Sequence, residues 1–409
     1  MSSATEDFDR LVGAAAAAGA ANAVEVARGW QRSGVRLVSG AEVTTSSLLV
    51  PPASLWVHGE LEALRGRPWV AVVCSRQGRE VSSSTPWVRS VCSAIARLPE
   101  NSVVVTGVSE LPQQVIRAAA RERELPVVSV LLGPLDGLEA SVGGDPMPVA
   151  VRGELIVSVL PPFCGEISGP ARDAVVLGLA EEVVGVSVRP GGNWSDLLNE
   201  ARRRAASLGR EAKVWEVREA GVRGPARGTE LERSLAGRTV SAEDASVGEW
   251  HYLTHLTRRP IGPWPDESEG EFLRALVRGQ IPRARTARDT LARIAVAQRV
   301  VGGSKFLRAG RAVCLTELRP SELLSLGAQH RGLGRPRYEP FGVAFLREDL
   351  ERLGARPVIY GVEATWESLP ESERWRFQAA GQGGRWVAER EWRVEGDLDF
   401  RGLARVWIA

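Results

Sequence analysis

Pro51–Arg76, PPASLWVHGELEALRGRPWVAVVCSR, is the stretch whose reading decides the fold class. Two prolines open a loop, a short amphipathic piece ends at His58-Gly59, and a charged break follows. The chain then turns wholly apolar from Trp69 to Val73 and stops at Cys74-Ser75-Arg76. A continuous apolar run between turn residues is the pattern of a strand buried on both faces, as in a parallel sheet. In an open α/β fold the loop after such a strand opens on the ligand crevice. A small residue, a hydroxyl and a guanidinium at that place suit a phosphate.

Outward from this strand the pattern alternates. Strands are expected at 69–74, 102–106, 126–132, 154–159, 183–188 and 213–217, with helices at 85–98, 110–123, 170–181 and 194–207. Strands alternating with helices of this length predict βαβ units and a parallel sheet, an α/β class of Rossmann-like type. Residues 6–33 read as a helix closed by Gly34. It lacks a strong apolar stripe, which predicts a packing appendage over 1–44 ahead of an α/β domain over 45–217. Residues 218–248, rich in Gly, Arg and Ser, read as a linker. A second, α+β domain is expected over 249–409.

Length and composition set further bounds. A chain of 409 residues is too long for one core. Its 44% hydrophobic and 25% charged content is that of a globular protein. No apolar run approaches the ~18–20 residues that span a bilayer. The start MSSATEDFDR places acid ahead of the Ala-rich segment, the wrong charge order for a signal peptide, so a cytoplasmic protein without membrane association is expected. Cys74, Cys92, Cys164 and Cys314 are widely spaced with no CxxC, the pattern of free thiols. A net charge of +2 does not by itself call for nucleic acid. Lys213 and Lys305 are the only lysines, so the cationic groups are almost all guanidinium.

Three turns follow predicted strands directly: Ser75-Arg76, Thr106-Gly107, and Arg189-Pro190-Gly191-Gly192-Asn193. A parallel sheet brings them to one carboxyl edge, where backbone N–H groups and helix N-termini favour anions. Gly169-Pro170-Ala171-Arg172-Asp173 starts another helix at that edge, with Arg172 expected over the crevice. Ser75, Arg76, Thr106, Gly107, Arg172, Gly191 and Gly192 are therefore the candidate phosphate-binding residues.

The string PPASLWVHGELEALRGRPWVAVVCSR resembles the entry to the Rossmann-like domain of the DNA-processing protein A (DprA/Smf) family, in which a Pro-Pro segment precedes a strand ending in Gly-Ser-Arg. GPARDAVVLGLAEEVVGVSVRPGGNWSDLLNEA is similar to a later stretch of the same family. The resemblance spans about residues 45–217 and implies membership of the wider SLOG superfamily. It implies a nucleotide signal or single-stranded nucleic acid as partner and allows a homo-oligomer. Cys74 stands where the family has glycine and Asp173 where it has asparagine, while Val108-Ser109-Glu110-Leu111 replaces its Gly-Ile-Asp. These departures fit a diverged ligand-sensing module.

In the second region, RWVAEREWRV reads as a strand. Trp386, Trp392 and Val394 would face a core, and Glu389, Glu391 and Arg393 would share the other face. That row is either a solvated salt-bridged surface or the wall of an open cleft in which a second cation, from Arg258, Arg259 or a histidine, meets the other glutamate. His251 and His255 in HYLTHLTRRPIGPWPDE are the one close histidine pair. Only Asp266 or Glu267 lies near them as a further ligand, so no metal site is assigned. HYLTHLTR, AVCLTEL, RYEPFGVAF, ARPVIYG and WVAEREWR together resemble a group of bacterial abortive-infection-like domains over about 249–400. YLTHLT with the late glutamate strand is loosely similar to DNA-targeting ADP-ribosyltransferases. That likeness implies NAD or another nucleotide as cofactor and His255, Glu389 and Glu391 as catalytic residues. Two readings stand: a defence or DNA-transaction protein whose first domain controls a C-terminal effector, and a non-enzymatic DNA-binding or interaction scaffold. The glutamate row separates them. In an enzyme it lines a pocket beside a histidine; in a scaffold it lies flat and exposed.

Overall fold

The computed structural model describes residues 2–17, 22–32, 34–43, 47–78, 80–133, 135, 154–160, 166–217, 238–242, 249–303, 310–329 and 339–409. The chain divides into two compact units, 1–224 with 267–283, and 225–266 with 284–409.

The first unit is the α/β domain expected from the sequence. Its strands are β1 (Val35–Val38), β2 (Leu55–His58), β3 (Trp69–Cys74), β4 (Val103–Gly107), β5 (Val127–Val130), β6 (Glu154–Ser158), β7 (Glu182–Val186) and β8 (Val214–Val217). They form one sheet in the order β1-β2-β6-β5-β4-β3-β7-β8. Six run parallel, from β6 to β8, while β1 and β2 join antiparallel at one edge. The six strands expected from the sequence are thus the six parallel ones, and β1 and β2 add an antiparallel edge that was not expected.

All six residues of β3 are buried, because both faces of the strand are covered. Helices Pro86–Ala96 and Leu111–Glu122 cover one face through Trp87, Val91, Ile95, Val115 and Ile116. Helix Glu269–Val277 adds Phe272, Leu273 and Leu276 to that same face, so this stretch belongs to the first unit although it follows residue 249. Helices Gly169–Gly178 and Asn193–Ser207 cover the other face through Val176, Leu177, Trp194 and Leu198. The N-terminal region is two helices, Ser2–Ala17 and Ala23–Arg32, and not one. Leu11, Ala15, Ala27 and Trp30 pack with Trp56, Leu131 and Ile156, so the region completes the core over the β1–β2 edge.

The strand order fixes where a ligand can sit. From β3 the chain steps outward through β4, β5 and β6, then returns to the other side of β3 as β7. Loops leaving β3 and β7 therefore go to opposite faces of the sheet, and the crevice opens between their carboxyl ends.

The second unit is built on β9 (Arg238–Val240), β10 (Tyr252–Leu256), β11 (Arg299–Val300), β12 (Ala312–Thr316), β13 (Gly342–Leu346), β14 (Arg356–Pro357), β15 (Ile359–Gly361), β16 (Phe377–Ala379), β17 (Glu391–Glu395), β18 (Leu398–Asp399) and β19 (Arg405–Ile408). Seven of these form a sheet ordered β14-β17-β12-β10-β13-β19-β9. The expected linker therefore contributes a strand, since Arg238–Val240 pairs parallel with β19; residues 218–237 lie outside the described part. Helix Ala287–Ala297 packs Leu291 and Ile294 onto one face, against Leu253, Val313, Leu315, Phe345 and Trp407.

This sheet is split. β10 pairs with β13 over five residues and β12 with β17 over five, but β10 and β12 share only the pair Thr254–Thr316. A continued ladder would set Leu256 opposite Cys314. Instead the strands part, and the His255 ring crosses the gap to the Cys314 carbonyl, 2.9 Å from Nδ1.

Candidate functional site

The split holds a cavity of about 390 Å³. Residues 254–259 line one side, residues 312–316 the other, and Glu389, Glu391 and Arg393 also border it. The volume lies in the ~300–1,000 Å³ range of small-molecule sites. All three candidate catalytic residues, His255, Glu389 and Glu391, meet here together with Arg258, Arg259 and Trp264. His251 does not; it is exposed and pairs with Glu249 at 3.0 Å.

The route by which the glutamates arrive differs from the expected strand. Gln382–Glu389 forms tight 3₁₀ turns broken at Gly383 and Gly384, whose φ values of +67° and +70° suit glycine. Arg390 follows at φ +43°, and only from Glu391 does the chain become β17. Val387, which the alternation put beside the glutamates, is 46% exposed, whereas Glu389, Glu391 and Arg393 are 4%, 9% and 1% exposed. The charge row faces inward. The physical reason is pairing, since a buried carboxylate needs a cation or donors. Arg393 Nε donates to Glu391 Oε1 at 2.9 Å. Its Nη1 donates to the carbonyls of Trp375 and Phe377, and Nη2 to Gln378 Oε1. The Tyr360 hydroxyl accepts from the Glu391 backbone N–H at 3.0 Å. Thr316 Oγ1 donates to the Glu389 carbonyl at 2.7 Å, fixing the turn that delivers that side chain.

The electrostatics favour a neutral histidine. Burial, opposed by the bond to the Cys314 carbonyl and aided by Arg258, holds His255 below its ordinary pKa. A carbonyl only accepts, so Nδ1 carries the proton in this bond and Nε2 is the acceptor nitrogen. Cys314 is exposed on the cavity wall, and desolvation there together with the neighbouring Glu391 carboxylate pushes its thiol up to about 12.

In the first unit the loops after β3, β4 and β7 and the start of helix Gly169–Gly178 meet at one edge, tied by side-chain bonds. Ser75 Oγ accepts from the Arg189 backbone N–H at 2.9 Å, and Arg189 Nη2 donates to the Arg76 carbonyl at 3.2 Å. Arg76 and Arg189 are both exposed there. Arg189 opens the turn named in the sequence after the fifth predicted strand, although only Gly191 and Gly192 of that turn were taken as candidates. Gly191 has φ +68°, and Gly192 caps helix Asn193–Ser207 without a side-chain bond. Thr106 is buried, and a Cβ on Gly107 would lie 2.8 Å from the Gln113 side chain.

Arg172 departs from expectation. It does not overhang the crevice but is 2% exposed. Nε and Nη2 donate to Asp173 Oδ1, and Nη1 donates to Ser109 Oγ at 2.7 Å and Gln113 Oε1 at 3.2 Å. Asp173 Oδ2 accepts in turn from Asn193 Nδ2 at 2.8 Å. A guanidinium with a carboxylate next in sequence satisfies itself inward, and here it binds the ledge together.

No protein-family model matches the chain, and no curated protein does. Part of the chain is similar to the X-ray structure of DNA processing protein A (DprA) from Streptococcus pneumoniae. The identity is 23%, over 40% of this chain and 55% of that one, with a TM-score of 0.33. It is also similar to the DNA processing protein A of Helicobacter pylori, studied for its single-stranded DNA binding mode. There the identity is 16%, over 41% of this chain and 76% of that one, with a TM-score of 0.31. The chain thus spans about half the length of the pneumococcal protein, at 55%. Among the described residues no helix is long and apolar enough to cross a membrane.

Proposed function

We propose that the second unit is an enzyme acting on a nucleotide substrate, NAD foremost, bound in the split between β10 and β12. The first unit, in this reading, holds a phosphate-bearing partner, single-stranded nucleic acid or a nucleotide signal, at the β3–β7 crevice. What supports the reading is convergence: His255, Glu389 and Glu391, chosen from distant parts of the sequence, line one cavity with Arg258 and Arg259. The flat, exposed charge row that a scaffold would carry is not how these glutamates lie.

Each group has a task in such a transfer. The bond between nicotinamide and ribose breaks, nicotinamide leaves, and the acceptor bonds at the vacated carbon while its proton passes to a carboxylate. Glu391, clamped by Arg393, is the fixed negative charge that a cation-like transition state asks for. Glu389 receives the acceptor proton. Neutral His255 accepts from a sugar hydroxyl through Nε2, and Arg258 and Arg259 face the phosphates. Coupling of such an effector to a nucleic-acid or nucleotide sensor is the logic of a bacterial defence protein.

The test is incubation of the purified chain with single-stranded DNA and NAD labelled in its ADP-ribose portion. Label transfer to DNA or protein, with release of nicotinamide, is expected, and Glu389→Gln is expected to lower it ~100-fold. No release of nicotinamide, with or without DNA, overturns the reading.

A further inference from the structure

Four threonines line the cavity in the split sheet: Thr254, Thr257, Thr290 and Thr316. Three have spent their hydroxyls on the main chain. Thr257 Oγ1 donates toward the Ala287 and Phe341 carbonyls, Thr290 Oγ1 toward those of Arg258 and Thr286, and Thr316 Oγ1 to that of Glu389. Thr254 is different. It is 1% exposed, and its Oγ1 has no hydrogen-bond partner among the described residues. Nor is the position free to adjust, since its backbone is paired with Ala344 of β13 on one side and Thr316 of β12 on the other.

An unpaired buried hydroxyl is a standing cost to the free protein. Valine has the same shape, suits a strand, and would remove that cost. A threonine kept at the one place where both sides of the split still touch therefore needs a use.

We propose that Thr254 is a ligand-binding residue of this cavity, whose hydroxyl is completed by a polar atom of the bound nucleotide. The inference rests on the proposed function, and it concerns selectivity. A site holding an unpaired hydroxyl discriminates against ligands that bring no polar atom to it. The same hydroxyl makes stability and binding pull in opposite directions at this position.

Three full-length proteins test it: wild type, Thr254→Val and Thr254→Ser, each titrated with NAD by calorimetry and melted without ligand. Thr254→Val is expected to bind NAD about tenfold more weakly and to melt about 2–4 °C higher. Thr254→Ser is expected to keep most of the NAD affinity. Valine that binds NAD as tightly as wild type overturns the inference and leaves the proposed function standing. Valine that melts lower also overturns it, because the hydroxyl then has a partner within the protein. Wild-type protein that binds no NAD contradicts the proposed function itself and takes this inference with it.

Discussion

His255 shows how much of a candidate residue's setting can rest on one bond. Its place in YLTHLT is visible in the sequence, but its position on the cavity wall comes from the parting of two strands that lets its ring reach the Cys314 carbonyl. The folded pKa is depressed, chiefly by burial, so the folded state binds fewer protons than the unfolded chain as pH falls through the unfolded value of ~6.5. The sign is then fixed: this group costs stability on acidification, from about pH 6.5 down to its folded pKa, and costs nothing above that window. Melting curves across pH 5–8 should show His255→Gln flattening this part of the decline; an unchanged profile would place the titration elsewhere. Glu389, Glu391 and Arg393 teach the complementary lesson. Their identity as a unit was legible, because two carboxylates and a guanidinium at alternate positions must pair. Which way they face was not, since the phase of a strand pattern is lost when Gly383, Gly384 and Arg390 take positive φ just before it.

At the scale of elements, β3 to β8 and the helices between them were readable almost to their ends, because each strand is an apolar run and each helix follows a turn residue. β1 and β2 were not: Val35–Val38 carries Arg36 among its apolar residues, and Leu55–His58 reads only as a short amphipathic piece. The split between β10 and β12 was likewise invisible, since pairing between segments some sixty residues apart leaves no local mark. The crevice ledge gives a prediction in which neighbouring arginines behave oppositely. Arg76→Ala and Arg189→Ala remove exposed guanidinium groups, so each should weaken binding of single-stranded DNA about tenfold with little change in melting. Arg172→Ala strands a buried Asp173 carboxylate and should destabilise the first unit by about 3–5 kcal/mol in urea unfolding. A soluble, equally stable Arg172→Ala protein with weakened DNA binding would show that Arg172 turns outward to the ligand after all.

For the whole molecule, the division into two units does not follow a single cut in the sequence. Residues 267–283 interrupt the second unit to complete the first, so a boundary at 249 would separate Phe272, Leu273, Leu276 and Ile281 from the core they fill. A composition shift marks where a chain changes style, but not where it returns. The first unit carries exposed arginines on the rim of a switch-point crevice, suited to a charged partner. The second encloses its charges in a cavity of about 390 Å³, suited to a small molecule and to chemistry. The central claim is that the second of these is the active site, and a crystal structure of the full chain grown with NAD tests it most directly. The account predicts the nucleotide lying in the split, with a ribose hydroxyl in hydrogen-bonding distance of His255 Nε2 and the nicotinamide-bearing carbon facing Glu389 and Glu391. NAD seated instead against Arg76 and Arg189 in the first unit, with the split left unfilled, would contradict it.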